Sequence, residues 1–458
     1  VIKQLVAYVG IDAFLAGLRA YFTAHAWGNA TFDDLLSALE AASGKPLRSF
    51  ADEWLRTAQV NTIRPVVTVG ADGRYESVAV AQEAPVDHPT LRTHRIGIGL
   101  YDLRGESLVR RALHEVDISG PLTPVPALTG VEKADVLLLN DEDLSYTKLR
   151  LDPASLSTVV KHIAGFDSSL ARALCWAATW DTTRDAEMAA RDYVALVCAG
   201  LPKEADINLV TATLRQAQTA VSAYADPAWI PTGWARLADT ALAALRTAEP
   251  GSGFQLAWAR AFAACARRPS DLAVVRSWLS GDDVPDGLTV DTDLRWSLLS
   301  TLVAHGAADP AEIDAELERD RTASGERSAA LARALVPTPE SKAETWARLT
   351  GDEKLPNWLQ RSLLQGFHHP SQLSLTLEYR EKFFEIVDEI WASRDSETAQ
   401  EFVLFAYPSV HVSEDTVAMT DAWLAVDGHP APLRRLVAEG RDGVVRALKA
   451  RARDAQAA

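Results

Sequence analysis

The chain has a single His-Glu pair, His114-Glu115, and such a pair could serve a metal ion that activates water. In the helical H-E-x-x-H pattern the second histidine follows one turn later, but here that position is Ile118. The surrounding alternation reads as strand, which sends His114 and Glu115 to opposite faces. His368-His369 precedes Pro370 at a predicted helix end. Adjacent side chains diverge there, so a cap or an interdomain contact is expected rather than a metal site. Asp141-Glu142-Asp143 lacks the spaced acidic loop and closing glutamate of a calcium site and reads as a solvated loop. Ser252 sits in Gly251-Ser252-Gly253 without the G-x-S-x-G elbow or a strand before it, and reads as linker. Cys175, Cys198 and Cys265 lie among apolar residues with no ligand spacing. Buried free thiols of a reducing compartment are expected, which gives a cytoplasmic protein. No catalytic residue and no metal ligand is predicted in the chain.

A chain of 458 residues with 48% hydrophobic and 24% charged content reads as a globular protein of about two to four domains. The net charge of 46 − 62 = −16 is spread along the sequence, which disfavours nucleic acid as a partner. No apolar run approaches the roughly 18 residues a membrane span needs, so no membrane partner is expected. Lys3 and Asp12 interrupt the apolar opening, and an amphipathic helix is a better reading of it than a signal peptide.

Three regions follow from the periodicity. Residues 1–60 read as helices: Ile2, Leu5, Val6 and Val9, then Phe14, Leu15, Leu18 and Phe22, recur at three- and four-residue spacing. Thr31 with Asp34, and Ser49 with Asp52, resemble N-terminal caps, and Gly44 is a predicted stop. Their wide apolar face needs a partner surface, and little before residue 60 is expected to supply one. Residues 61–150 switch to alternation, with turns at 71–74 and 104–107 and a buried strand at VLLLNDED (136–143), which predicts a small β-sandwich. Residues 151–458 are punctuated at Asp152-Pro153, 225–227, 249–253, 281–283, 336–339 and 369–370. About fifteen helices of 10 to 20 residues suggest an α-solenoid of stacked helix pairs, HEAT- or armadillo-like. The fold class is therefore mixed, mainly α.

Several segments carry more specific information. These are Trp27-Gly28-Asn29-Ala30-Thr31 followed by Asp34-Leu35, then Trp54, and Val60-Asn61-Thr62. Farther on come Asp293 to Leu299 (DLRWSLL), Lys342 to Trp346 (KAETW), Gly366 to Pro370 (GFHHP) and Arg434 to Arg441 (RRLVAEGR). Together they resemble the back half of aminopeptidase N-type zinc metallopeptidases, over essentially the whole chain. The resemblance implies the closing helices of a thermolysin-like catalytic domain at 1–60, a β-sandwich domain at 61–150 and a helical C-terminal domain at 151–458.

Such enzymes remove N-terminal amino acids from peptides. They bind zinc through H-E-x-x-H and a later Glu, hold the amino terminus on a Gly-x-Met-Glu-Asn strand and stabilise the oxyanion with a Tyr. None of these motifs occurs in this sequence. The expected zinc ligands thus lie upstream of Val1, in an N-terminal catalytic region that would be a partner of this portion, and this portion alone is expected to be inactive. Its implied role is to enclose the site and restrict access to peptides with a free N-terminus. Arg295 is the candidate channel residue, weighed against an interhelix salt bridge. The alternative is a stand-alone helical-repeat binding or scaffold protein. Full coverage of Ile2, Leu5, Val9 and Phe14 by residues 61–458 would favour that alternative.

Overall fold

The computed structural model describes residues 2–351 and 355–457. Packing divides the chain into two compact units, Val1–Thr182 and Thr183–Ala458.

The first unit opens with helices Ile2–Val9, Ile11–Ala24, Phe32–Ser43 and Arg48–Leu55. Thr31 and Asp34 form a reciprocal capping box at the start of the third helix, and Gly44 closes it at φ 68°, a left-handed conformation that glycine adopts without a Cβ penalty. The fourth helix is capped differently from the sequence expectation. Leu47 stands at its N-cap with no side-chain cap, and Glu40 of the preceding helix accepts from the Leu47 and Arg48 amides at 2.7 and 3.2 Å. Ser49-Asp52 is therefore not the start signal, because a carboxylate from a neighbouring helix already satisfies those orphan amides.

The expectation that little before residue 60 supports these helices is corrected as well. Leu5 and Val9 bury against Leu36, Leu39, Leu47 and Phe50. Ile2, Ile11, Phe22, Phe32 and Leu55 remain exposed.

Seven strands follow: β1 (Thr62–Val69), β2 (Tyr75–Glu83), β3 (His94–Arg104), β4 (Ser107–Ile118), β5 (Leu122–Pro124), β6 (Val136–Asp141) and β7 (Lys148–Leu149). They form two sheets, ordered β5-β2-β1-β7 and β4-β3-β6. All pairs are antiparallel except β1 with β7. The predicted turns at 71–74 and 104–107 join β1 to β2 and β3 to β4. His94 of β3 links the sheets through Gln82 of β2 at 2.9 Å, and its other ring nitrogen meets Ser145 at 2.6 Å. The Asn61 and Trp54 motif residues fix the junction of helix and sheet. Trp54 donates to the Thr93 carbonyl at 3.1 Å, and buried Arg92 spans the Glu53 and Ala58 carbonyls and Asn61 Oδ1.

The acidic cluster at the end of β6 is solvated only in part: Asp143 is exposed and Glu142 half-exposed. Asp141 is buried and accepts from Tyr101 Oη at 2.9 Å and Arg110 at 3.1 Å. Glu142 also pairs with Arg110, and Asp143 pairs with Lys3. Burial together with the Asp141 charge raises the Tyr101 pKa. The approach of Asp141 depends on glycine in β3. A Cβ on Gly99 would stand 2.1 Å from Asp141 Oδ2 and 2.8 Å from the Tyr101 ring. Gly99→Ala is expected to cost about 1–3 kcal/mol by overpacking, read as a lower urea midpoint. An unchanged midpoint would mean that Asp141 yields freely.

The second unit is helical, with segments from four residues (Leu373–Thr376) to 25 (Ala431–Ala455), a wider range than the periodicity implies. Seven of the thirteen tryptophans are buried, in line with a core role for most of them. The last helix returns to the start of this unit. Arg451 donates to the Ala223 and Ser222 carbonyls at 2.9 and 3.3 Å, and Arg446 pairs with Asp185. Asp454, fully buried, accepts from the Arg191 and Asp226 amides, each at 2.8 Å.

Candidate functional site

Helix Thr292–Ala304 starts on Asp291, which accepts from the Leu294 amide at 2.8 Å. Most of the helix is apolar and buried, but Ser297, Ser300 and Thr301 recur at helical spacing along one stripe. With Asp293 and Trp296 they form one wall of a cleft of about 400 Å³. Arg267, beyond the end of helix Gly253–Cys265, and Ser328, on helix Ala323–Ala334, contribute further walls. His305 and His369, each just past a helix end, complete it.

The rings of His305 and His369 meet edge to face at 5.6 Å. Burial, then the nearby Arg267 charge, lowers the His305 pKa to about 4 and that of His369 to about 3. Both imidazoles are therefore neutral at pH 7. Arg267 lies over the Trp234 ring at 4.4 Å and donates to the Ala266 carbonyl at 2.8 Å. Its Nε and the His305 Nε2 are buried without a hydrogen-bond partner among the described residues. Burial lowers the Arg267 pKa. The cleft can thus offer one cation, neutral ring nitrogens and several hydroxyls.

Arg295 is not among the residues lining this cleft. Its guanidinium makes a bidentate pair with Glu316 at 2.7 and 2.6 Å and donates to the Leu279 carbonyl at 3.0 Å. Glu316 also raises its pKa. A helix turns about 100° per residue, so Arg295 projects toward Glu316 while Trp296 and Ser297 face the cleft. Arg295 acts as an interhelix clamp.

The other singled-out residues are dispersed. His114 and Glu115 lie in β4, where Glu115 pairs with Arg95. His368 and His369 diverge as expected. His368 Nε2 meets the Ala406 carbonyl at 3.3 Å, while His369 enters the cleft. Ser252 is an N-cap rather than plain linker, accepting from the Gln255 amide. All three cysteines are free; Cys175 and Cys265 are buried and Cys198 is half-buried. The sequence reasoning missed Arg267 and His305. The available signal was the Ser297-Ser300-Thr301 stripe on an otherwise apolar helix.

Lys342, from the KAETW segment, is fully buried. Its ammonium donates to the Ala334, Phe367 and Gly366 carbonyls at 2.6, 3.0 and 3.3 Å. It thereby satisfies the C-terminal carbonyls of two helices and complements their dipoles. Burial lowers its pKa to about 8, which leaves it mostly charged at neutral pH.

The donor set does not fit a zinc ion. Among the described residues no group of three or more His, Cys, Asp or Glu side chains could hold a metal, whereas zinc needs three or four converging ligands.

The profile of the "ERAP1-like C-terminal domain" matches residues 136–446, and that of the "Peptidase family M1 domain" matches residues 1–54. The chain therefore belongs to the M1 aminopeptidase family and corresponds to its C-terminal part. Aminopeptidase N of Streptomyces lividans is 50% identical over all of this chain, which spans 54% of that relative's length. Aminopeptidase M1 of Arabidopsis thaliana is 26% identical over 38% of this chain and 18% of its own. The crystal structure of Legionella pneumophila aminopeptidase A in complex with aspartic acid shares the fold. Its TM-score is 0.60 over 96% of this chain and 55% of that one, at 12% identity. No single helix among the described residues is long and apolar enough to cross a membrane.

Proposed function

We propose that the chain is the C-terminal portion of a zinc-dependent aminopeptidase that removes N-terminal amino acids from peptides. The zinc and the catalytic groups belong to a region upstream of Val1. In this reading residues 1–60 are the closing helices of a thermolysin-like domain, 61–150 a β-sandwich, and 151–458 a HEAT- or armadillo-like helical domain. The portion encloses the active site and restricts entry to peptides with a free, flexible N-terminus, which also limits water access. It works in the cytoplasm, without nucleic acid or membrane partners.

The 50% identity to Streptomyces lividans aminopeptidase N across the entire chain carries this reading. Exposed Ile2, Ile11, Phe22, Phe32 and Leu55 support it against a stand-alone scaffold, since apolar residues so exposed fit a face awaiting a partner. The full coverage that would have favoured the scaffold is not met: Leu5 and Val9 are buried, but Ile2 is 72% exposed.

The test compares the chain alone with a chimera that joins it to the preceding region of the Streptomyces relative. Alone, it is expected to bind no stoichiometric zinc and to release no amino acid from an aminoacyl-nitroanilide. The chimera is expected to bind one zinc and to turn over. Tight one-to-one zinc, or turnover, by the chain alone would overturn the assignment.

A further inference from the structure

We propose that the cleft between helices Gly253–Cys265, Thr292–Ala304 and Ala323–Ala334 binds a small oxyanion, carboxylate or phosphate, through Arg267. Two adjacent arginines differ in their pairing. Arg268 is paired with both Asp239 and Asp271. Arg267 makes no ion pair with a carboxylate among the described residues, in a chain with 62 acidic and 46 basic side chains. Among the described residues its one protein acceptor is the neighbouring Ala266 carbonyl, and its Nε has none. A half-buried guanidinium without a counter-ion bears a desolvation cost that an anion would relieve.

The surroundings suit that anion. Ser297, Ser300, Thr301 and Ser328 bring hydroxyl donors to the same cleft. His305, also at the wall, carries a buried and unpartnered Nε2. The indole beneath Arg267 holds the guanidinium plane in place. The one acid at the wall is Asp293, an exposed residue on the first turn of its helix. The volume of about 400 Å³ accommodates a phosphate or carboxylate with a few waters. The site is independent of the peptidase reading, since no zinc or upstream residue takes part.

Thermal unfolding of the 458-residue chain would be followed in sodium phosphate or sodium acetate, against sodium chloride at equal ionic strength. A saturable rise in midpoint is expected with at least one of the two anions. A response to phosphate alone assigns the phosphate class, and a response to acetate assigns a carboxylate. Arg267→Gln should weaken the apparent affinity by about 10-fold or more, the worth of a charge-assisted pair. Ser300→Asp, which supplies a carboxylate from within, should raise the midpoint in chloride and abolish the anion response. The inference fails if neither anion gives a saturable shift. It also fails if the Arg267→Gln or the Ser300→Asp protein responds like the parent.

Discussion

Asp454→Ala is expected to lower the stability of the helical unit by about 3–5 kcal/mol, the usual cost of leaving one partner of a buried ion pair uncompensated. The carboxylate is fully buried and uses both oxygens. Oδ1 accepts from the Arg191 amide at 2.8 Å and its Nε at 3.3 Å; Oδ2 accepts from the Asp226 amide at 2.8 Å and the Arg191 guanidinium at 3.3 Å. Helix Ala190–Gly200 has Ala189 at its N-cap and no side-chain cap of its own. Asp454 fills that role from the far end of the unit, where the helix dipole favours an anion. Without it, two amides lose their acceptor at once, and the Arg191 guanidinium keeps only the Ala457 carbonyl and Asp226, the latter at 4.0 Å. Urea unfolding followed by circular dichroism reads the loss, and Asp454→Asn, which keeps one oxygen, should fall between. A midpoint for Asp454→Ala within about 1 kcal/mol of the parent would show that Arg191 finds another partner.

Acid should loosen the same unit well before its carboxylates protonate. Four histidines gather around the end of helix Asn357–Phe367. His305 and His369 lie 5.6 Å apart beside Arg267, and His368 and His411 lie 6.2 Å apart. His411 Nε2 meets Thr376 Oγ1 at 3.0 Å, and Arg380 lies near enough to lower its pKa further. Lys342 and Arg267 add positive charge to the neighbourhood of His369, and no carboxylate contributes to the shift of any of the four. Burial, with these cations, holds three of the pKa values at about 4 and that of His369 at about 3. An unfolded histidine titrates near 6.5.

Between about pH 6.5 and 4, then, the unfolded chain binds more protons than the folded one, and stability falls as pH falls. By pH 5 a well-buried group such as His411, 6% exposed, should forfeit about 2 kcal/mol. The more open His305 should forfeit less. Several such losses rival the whole stability of a typical domain. Urea midpoints measured from pH 7.5 to 4.5 should drop steeply below 6.5, and His411→Gln should flatten that slope by about one proton. A midpoint that stays level down to pH 5 would contradict the prediction.

The strands and their turns were legible because alternation with period two and tight-turn residues are local signals. So was the capping box at Thr31 and Asp34, which lies within four residues of sequence. What the sequence could not reveal were partners brought together by tertiary packing. Ser49 and Asp52 look like a cap, but Glu40 takes the job from another helix. Asp141 reads as solvated until Gly97 and Gly99 let it sink toward Tyr101. Arg295 sits on the helix that lines the cleft, with its guanidinium held by Glu316. A one-residue step separates the Glu316 clamp from the cleft wall, and sequence alone carries no mark of which stripe faces which neighbour. Arg267 went unnoticed for a related reason. Its distinction is the lack of an acidic partner, a property of space rather than of order along the chain.

The return of the last helix also bears on how the protein is made. In an array where each helix touches only its neighbours, structure can spread from any starting point as the chain grows. Here the acceptor for the Arg191 amide is Asp454, 263 positions later. On the ribosome, the helix beginning at Ala190 waits with its amide uncapped until Asp454 has been translated. Closing so long a loop is entropically unfavourable before its contacts repay it, which slows the final locking step. The nascent helices are therefore exposed in an unlocked state while these 263 positions are translated, the interval in which chaperones would meet them.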